Sequence, residues 1–264
     1  MIASTVNKQV KYVNALQKKA RLRREEGLFV AEGLRMCAEI PPERIRTLYI
    51  SDSFRKNPHC GKLTAMVRQV EVVTDTVFAA LSDTRTPQGV LAVVMQHRYT
   101  LEQVMAGRKD MPPHLMVLEH LQDPGNLGTI VRAGEGAGVT GILMDGGTVD
   151  IYSPKVVRST MGSLLRVPFV CVENLEEALD MLKRRGIRTF AAHLPGSREY
   201  DREDYRGATA FLIGNEAGGL KPETAAKADV RIRIPMMGQV ESLNAAVAAS
   251  VLMFEAARQR RRQG

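Results

Sequence analysis

Three segments in the second half of the chain combine glycines with side chains that could hold a substrate and a cofactor. They read EHLQDPGNLGTIVR over residues 119–132, FLIGNEAGGL over residues 211–220 and IRIPMMGQVESLN over residues 232–244. Their amides, carboxylates, hydroxyl and arginine could contact a ligand, and their glycines let the main chain approach that ligand closely. The second segment lacks the GK[ST] ending of a phosphate-binding P-loop. A glycine-rich loop of this kind could instead recognise an uncharged base edge through main-chain groups.

Helix capping accounts for only part of these segments. Asn126 and Ser242 are each predicted to cap the helix that follows. Capping does not explain Gly128, because a glycine inside a helix costs about 1 kcal/mol relative to alanine. It does not explain Asn244, two positions beyond Ser242, either. A GxGxxG match over residues 136–141 closes a predicted helix and enters a strand, so it indicates a helix C-terminus and turn instead of a dinucleotide site.

Motifs of several other functional classes are missing from the sequence. The five histidines form no HExxH, no GxSxG occurs, and the three cysteines are isolated and lack CxxC spacing. We therefore expect no hydrolase triad, no metal site and no disulfide framework, and the cysteines fit a reducing cytoplasm. No apolar run approaches the roughly 20 residues of a membrane span, and the N-terminus lacks the apolar region of a secretory signal.

The three segments are embedded in an alternation of short strands and helices that predicts an α/β fold with a mainly parallel sheet. The predicted strands are 114–119, 141–144, 167–171, 187–192 and 209–213, and the predicted helices are 126–137, 153–161, 174–185 and 242–260. In such a sheet, ligands bind beyond the carboxyl ends of the strands, which is where the three segments fall.

A smaller α/β pattern precedes this one. It consists of predicted helices 6–24, 33–40, 60–69 and 75–82 and predicted strands 28–31, 47–50, 71–73 and 90–94. Residues 99–113 read as a linker with one helical turn, since the Pro112–Pro113 pair forbids helix there. The sequence therefore predicts a domain over residues 1–98, a linker over residues 99–113 and a second domain over residues 114–264.

The positive charge is concentrated in the first predicted domain. Residues 1–98 carry a net charge of +7 out of +8 for the whole chain. Seven cations with no acid among them are Lys8, Lys11, Lys18, Lys19, Arg21, Arg23 and Arg24. A charge run of this kind is often only a solvated helix face, but a basic lobe beside a near-neutral one favours a polyanionic partner. We expect these seven residues to contact nucleic acid phosphates.

Taken in order, the three segments resemble the three motifs of the SpoU/TrmH family of RNA 2′-O-ribose methyltransferases, part of the SPOUT superfamily. The matching residues are Asn126-x-Gly128-x-x-x-Arg132, then Ile213-Gly214-Asn215-Glu216-Ala217-Gly218-Gly219-Leu220, then Ile234-Pro235-Met236-x-Gly238-x-x-Glu241-Ser242-Leu243-Asn244. The segments Phe29–Gly33 and Thr86–Val90 resemble the N-terminal RNA substrate-binding domain of the same family.

This resemblance implies a SPOUT α/β fold whose C-terminal segment threads a trefoil knot and forms a pocket for S-adenosylmethionine. The residues implied to hold the cofactor are Gly214, Asn215, Ile234, Met236 and Leu243. The resemblance also implies a homodimer with an active site completed across the subunit interface, and chemistry without a metal.

The reaction implied by the resemblance is attack of an RNA 2′-hydroxyl on the methyl carbon of the cofactor. The residues implied to carry it are Arg132, Asn126, Glu216, Ser242 and Asn244. In this family the arginine is the proposed activator, yet a guanidinium with a pKa above about 12 is a poor base. Arg132 either loses a proton in a strongly perturbed site or orients the hydroxyl and a phosphate while the proton leaves elsewhere.

Two alternatives to a 23S ribosomal RNA methyltransferase stay open at this point. A tRNA 2′-O-ribose methyltransferase would share the motifs, but such enzymes tend to carry short basic extensions, so a first domain over residues 1–98 favours ribosomal RNA. A non-catalytic RNA-binding or ribosome-assembly protein would have no reason to keep all five reactive residues. We therefore expect a cytoplasmic, S-adenosylmethionine-dependent RNA methyltransferase.

Overall fold

The computed structural model describes residues 1–195 and 197–262, so Gly196 and the last two residues of the predicted second domain lie outside the described residues. The chain forms two compact units. The first comprises Met1–His97 with Asp150–Leu165, and the second comprises Arg98–Val149 with Arg166–Gly264. Within the described residues, no helix is long and apolar enough to cross a membrane.

The helices and strands are numbered in chain order. The α-helices are α1 (Lys8–Lys18), α2 (Ala20–Glu26), α3 (Leu34–Glu39), α4 (Cys60–Ala65), α5 (Asp75–Leu81), α6 (Leu101–Met105), α7 (Pro124–Ala137), α8 (Pro154–Ser159), α9 (Leu175–Arg184), α10 (Pro222–Lys227) and α11 (Ala245–Arg261). Short 3-10 helices cover Pro42–Arg44, Ser53–Lys56, Ser163–Leu165 and Tyr200–Arg202. The strands are β1 (Leu28–Glu32), β2 (Ile45–Ser51), β3 (Val70–Val73), β4 (Val90–Met95), β5 (His114–Leu118), β6 (Gly141–Asp145), β7 (Phe169–Val172), β8 (Arg188–Ala192), β9 (Arg198–Glu199), β10 (Thr209–Ile213) and β11 (Val230–Arg233).

The first unit is built on a four-stranded sheet in the order β1-β4-β2-β3. β4 pairs antiparallel with β1 and β2, and β2 pairs parallel with β3. Val10, Val13 and Leu16 recur at helical spacing along α1 and are fully buried in a cluster with Phe78 and Leu91. The first unit therefore has its own hydrophobic core.

The predicted helix over residues 6–24 is in fact two helices. Lys19 is extended (φ −114°, ψ 103°) and separates α1 from α2. A break of this kind leaves carbonyls at the end of the first helix without intrahelical partners. The guanidinium of Arg23 donates to Leu16 O (2.6 Å) and Gln17 O (2.8 Å) and so satisfies them. The single-helix prediction is wrong because apolar spacing does not show which side chains compete for backbone carbonyls.

Residues 150–165, which the sequence prediction assigns to the second domain, pack in the first unit. Tyr152 lies against Phe29 of β1, with ring centroids 4.7 Å apart. Arg158 of α8 forms an ion pair with Asp83 (N···O 2.6 Å). The predicted assignment differs here because a sequence pattern gives the order of elements along the chain and not their packing partners.

The second unit contains a seven-stranded sheet in the order β7-β6-β5-β10-β8-β11-β9. Among the described residues every pair of neighbouring strands is parallel, which confirms the predicted mainly parallel sheet. All residues of the adjacent strands β5 and β10 are buried. Sequence reasoning missed β9, β11 and α10, because segments of 2 to 6 residues carry too little periodicity to be recognised.

Candidate active site

The loops after β5, β8, β10 and β11 meet at one edge of the seven-stranded sheet, because parallel strands present their carboxyl ends together. A cavity of about 370 Å³ lies there, walled by the loops after β8, β10 and β11 and by the start of α11. Its lining includes all five residues predicted to hold a cofactor, namely Gly214, Asn215, Ile234, Met236 and Leu243. Glu216 and Ser242, two of the predicted reactive residues, line it as well.

The loop after β10 closes on itself at Gly214. Asn215 N donates to Gly219 O (3.0 Å), and Gly219 N donates back to Asn215 O (2.9 Å). A Cβ atom at Gly214 would stand 2.1 Å from Gly219 C and Leu220 N, so only glycine fits. Gly219 has φ +67°, in the left-handed region that favours glycine. The glycines therefore permit a tight turn that forms one wall of the cavity.

The Asn215 side chain stiffens this turn. Its Oδ1 accepts hydrogen bonds from the amides of Ala217 (2.9 Å) and Gly218 (3.2 Å). Its Nδ2 donates to His120 O (2.8 Å) in the loop after β5. The side-chain amide of Asn215 is thus occupied by the protein itself, so this residue holds the turn that walls the cavity.

Glu119, directly after β5, anchors the far end of the same loop. Glu119 is only 3% exposed. Its carboxylate accepts hydrogen bonds from Lys221 N (2.8 Å) and Thr224 Oγ1 (2.6 Å). The carboxylate thereby ties the end of β5 to the start of α10. Sequence reasoning did not single out this residue, although an acid that closes an apolar strand is a signal that could have found it.

Asn126, Glu216 and Asn244 come together from three separate segments and are called here the polar network. Asn126 Nδ2 donates to Glu216 Oε1 (2.9 Å), and Asn244 Nδ2 donates to Asn126 Oδ1 (3.0 Å). Glu216 also accepts from the amides of Gln122 (3.1 Å) and Asp123 (3.0 Å). One carboxylate and two amides therefore join the loops after β5 and β10 to the start of α11.

The charge of Glu216 is stabilised by these donors. Burial acts to raise its pKa, but hydrogen bonds from Asn126 and from the amides of Asp123 and Gln122 outweigh burial and hold the pKa below its ordinary value. At neutral pH the carboxylate is therefore ionised and can only accept hydrogen bonds. Such a group suits orientation of neighbouring donors and not donation of a proton.

The helix caps beside the network differ from the prediction. Asp123 caps α7 in place of Asn126. Its Oδ1 accepts a hydrogen bond from the backbone N of Asn126 (2.8 Å). Asn244 caps α11 in place of Ser242, and its Oδ1 accepts from two amides of the first turn (2.9 and 3.3 Å). Because Asp123 does the capping, the Asn126 side chain is free for the polar network. At the other end of α7, Gly138 (φ +77°) confirms the predicted helix C-terminus.

Arg132 and Ser242 lie outside the polar network. Arg132 is exposed on α7, nearly two turns beyond Asn126. Across residues 1–195 and 197–262, the structure gives its guanidinium no hydrogen bond or ion pair. Ser242 is exposed where it lines the cavity. The structure thus brings three of the five predicted reactive residues together and leaves the arginine available to an incoming group.

Six of the seven cations predicted to contact nucleic acid are exposed, namely Lys8, Lys11, Lys18, Lys19, Arg21 and Arg24. Arg23 differs from them because it is only 3% exposed and forms an ion pair with Asp150 (N···O 2.7 Å). The predicted phosphate contact is wrong for Arg23, since its guanidinium is already occupied by Asp150 and by the two carbonyls at the end of α1.

A cavity walled by a glycine-rich turn, beside amide and carboxylate side chains at the carboxyl edge of a parallel sheet, defines an α/β enzyme with a small-molecule site. In the part of the chain that the structure describes, no group of three or more His, Cys, Asp or Glu side chains could hold a metal ion. The model of the SpoU rRNA Methylase family matches residues 113–254, and the model of the MRM3-like substrate binding domain matches residues 7–92.

A named relative and two solved structures support the same family assignment. The 23S rRNA (guanosine(2553)-2′-O)-methyltransferase RlmP of Bacillus subtilis is 30% identical over 96% of this chain and 97% of its own. An AdoMet-bound rRNA methyltransferase from Sinorhizobium meliloti matches with a TM-score of 0.86 and 32% identity over 97% of both chains. The SpoU methyltransferase AviRb from Streptomyces viridochromogenes, solved with AdoMet, matches with a TM-score of 0.87 and 28% identity over 96% of this chain and 98% of its own. This chain therefore belongs to the SpoU rRNA methylase family and is an S-adenosylmethionine-dependent RNA 2′-O-ribose methyltransferase.

Proposed function

We propose that this protein transfers the methyl group of S-adenosylmethionine to a ribose 2′-hydroxyl of 23S ribosomal RNA. The observation that carries the proposal is the cavity at the sheet edge, which all five predicted cofactor residues line and which the polar network adjoins. The names of the B. subtilis and S. meliloti relatives point to ribosomal RNA as the substrate class.

The chemistry of the cavity suits this cofactor. The closed turn at Gly214 leaves a cradle that any side chain would fill, and the volume of about 370 Å³ lies in the range of small-molecule sites. Gly214, Ile234 and Leu243 would contact the cofactor mainly through their backbone groups. When bound, the cofactor supplies an activated methyl group carried on a sulfonium.

The side chains around the cavity would position the nucleophile. Arg132 would orient the 2′-hydroxyl and an adjoining phosphate through charge-assisted hydrogen bonds. The polar network would keep the loops after β5 and β10 in register, and Ser242 would contact the substrate from the cavity wall. Correct placement of two reactants can remove roughly 7–11 kcal/mol of a barrier, so positioning is a sufficient task for these residues.

The first unit would capture the RNA. Its six exposed cations along α1 and α2 would neutralise phosphates without reading sequence. Folded RNA is recognised largely by shape and by backbone contacts, so the remaining surface of this unit would select the RNA element. We also propose that the protein is cytoplasmic and that its second unit contains the trefoil knot of the SPOUT fold.

We also infer that two copies of the chain associate through α7 and α11. Val247 and Phe254 stand seven residues apart on one face of α11 and are 48% and 45% exposed. The Phe254 ring adjoins α7, since a Cβ at Gly136 would stand 3.8 Å from Phe254 Cζ. Large apolar side chains exposed together on one helix face favour a protein interface.

Replacement of Arg132 tests the proposed reaction. Arg132→Ala is expected to lower methyl transfer to 23S ribosomal RNA at least about 100-fold, because the group that orients the hydroxyl is lost. Its Kd for S-adenosylmethionine, measured by calorimetry, should match that of the wild type. Arg184→Ala, which removes an exposed arginine on α9, is the matched control and should keep full activity.

A second experiment tests which RNA is the substrate. The wild-type protein is assayed with transfer RNA and with 23S ribosomal RNA in parallel, and the methylated ribose is then mapped. Methylation of tRNA alone would contradict the ribosomal substrate. A wild-type protein that binds no S-adenosylmethionine and methylates neither RNA would contradict the enzyme function.

A further inference from the structure

We propose that His120 takes the proton of the RNA 2′-hydroxyl and that Asp145 holds its imidazole in the required tautomer. The inference rests on the methyltransferase function proposed above. It concerns the step for which a guanidinium is poorly suited, because arginine stays protonated in proteins. Arg132 then orients the hydroxyl, and His120 removes its proton.

His120 and Asp145 form an imidazole–carboxylate pair at the carboxyl ends of β5 and β6. His120 Nδ1 is hydrogen-bonded to Asp145 Oδ2, and His120 N donates to Asp145 Oδ1 (2.9 Å). Thr148 Oγ1 also donates to Asp145 Oδ1 (2.8 Å). The side chain of the aspartate is 10% exposed, whereas that of the histidine is 48% exposed. The pair therefore has a fixed carboxylate on the inside and an accessible imidazole on the outside.

The hydrogen bond between Asp145 and His120 selects the tautomer of the imidazole. Burial acts to raise the pKa of Asp145, but hydrogen bonds from His120 and Thr148 outweigh burial and lower it. An ionised carboxylate accepts only, so the proton of the neutral imidazole lies on Nδ1. Nε2 of His120 is then the basic nitrogen, as a general base requires.

The backbone around the ring is adapted to hold it. His120 has φ +54°, in the left-handed region that residues with a Cβ rarely adopt. A Cβ atom at Gly147 would stand 2.3 to 2.6 Å from three atoms of the imidazole, so the ring packs directly on bare main chain. Unusual backbone of this kind is concentrated at functional sites, where the surrounding structure enforces it.

The pair lies beside the cofactor cavity on the same sheet edge. The cavity covers the ends of β10, β8 and β11, and β5 and β6 are the next strands in the order. His120 O accepts from Asn215 Nδ2 (2.8 Å), and Asn215 lines the cavity. A ribose that approaches the cavity from the β5 side therefore meets the loop that carries the imidazole.

The other charged groups of these loops have separate tasks. Asp123 caps α7, Glu216 belongs to the polar network, and Glu119 anchors the start of α10. His193 also lines the cavity, but within the described residues the structure gives its ring no carboxylate partner. Of these two histidines at the sheet edge, His120 is the one that a carboxylate orients.

The proposed step is balanced without a further reagent. A bond forms between the ribose 2′-oxygen and the methyl carbon, and the carbon–sulfur bond breaks with its electron pair passing to sulfur. The hydroxyl proton passes to Nε2 of His120. Asp145 stabilises the resulting imidazolium, which returns the proton to water before the next turnover.

His120→Gln tests the role directly, because glutamine can form hydrogen bonds but cannot accept the proton. We expect kcat for 23S ribosomal RNA to fall at least about 100-fold, with KM for RNA and Kd for S-adenosylmethionine within about threefold of the wild type. Wild-type kcat should fall toward acid through one ionisation, and this step should be missing in the variant. His59→Gln, at an exposed histidine of the first unit, should keep the wild-type kcat and pH profile.

Two further variants test the role of His120 while keeping its imidazole. Asp145→Asn should change the ¹⁵N NMR signature of His120 from one Nδ1-protonated tautomer to a mixture. Gly147→Ala should displace the ring and lower kcat while the imidazole itself is kept.

The possible results separate this inference from the function on which it rests. Wild-type kcat and pH profile in His120→Gln would overturn the inference and leave the methyltransferase function intact. Loss of S-adenosylmethionine binding or of folded structure in both His120→Gln and Gly147→Ala would assign His120 to loop structure and overturn it equally. A wild-type protein that methylates no RNA would instead overturn the proposed function.

Discussion

At Gly214 the absence of a side chain decides whether the loop after β10 can close. A Cβ would stand 2.1 Å from main-chain atoms of Gly219 and Leu220, and backbone atoms cannot move aside as a flexible side chain can. Any other residue must therefore open the turn. Because that turn walls the cavity, its closure determines the shape that a cofactor meets.

Gly214→Ala is therefore expected to weaken S-adenosylmethionine binding at least about tenfold, equivalent to 1.4 kcal/mol, as measured by calorimetry. Gly207→Ala is the control, since nothing lies within 4 Å of a Cβ added there, and it should bind normally. Equal affinities for the two variants would show that the turn is not part of the cofactor site.

The sequence identified most of the site residues but not their contacts. Residue type and loop position singled out Asn126 and Glu216, yet the two are 90 positions apart, and no local pattern predicts their hydrogen bond. The Asn126 side chain was assigned to a helix cap that Asp123 provides instead. His120 was missed as a candidate because a histidine after a strand is unremarkable until the fold supplies its carboxylate partner, Asp145.

Within α2, neighbouring arginines have different tasks. Arg23 is buried, pairs with Asp150 and caps α1 through the carbonyls of Leu16 and Gln17. Arg24 is exposed and belongs to the cations proposed to contact RNA. The two residues therefore form a matched pair for separating stability from RNA affinity.

Arg23→Ala should lower the free energy of unfolding by about 3 kcal/mol, because it leaves a largely buried carboxylate and two carbonyls without their donor. Urea denaturation measures this change. Arg24→Ala should leave stability unchanged, weaken RNA binding and reduce the slope of log affinity against log salt by about 1. Equal stability of the two variants would contradict the structural role of Arg23.

Helices and strands were predictable from the sequence where they are long or have a strong hydrophobic pattern. Strand β4 is a continuous apolar run, and β5 and β10 each have one polar residue at the start followed by four apolar residues, so their prediction needs only hydrophobicity. The break between α1 and α2 was not predictable, because it depends on Arg23 reaching back to carbonyls seven and six residues earlier. The packing of residues 150–165 in the first unit depends on partners more than 50 residues away in the chain, such as Arg158 with Asp83.

The proposed dimer makes a prediction about the whole molecule. Phe254→Glu places a charge on the exposed face of α11, so it should convert a dimer into monomers, as measured by light scattering after size-exclusion chromatography. Val6→Glu alters a residue of the first unit that is 68% exposed and should leave the dimer intact. A wild-type protein that is monomeric at assay concentration would contradict the dimer.

The interrupted first unit has a consequence for the order in which the chain is made. Synthesis proceeds from the N-terminus, so Met1–His97 leaves the ribosome before Asp150–Leu165 exists. Until then Phe29 has no Tyr152 to cover it and Arg23 has no Asp150 to pair with. The N-terminal residues can therefore begin to fold early, but they reach their final packing only after the first strands of the second unit have also been translated.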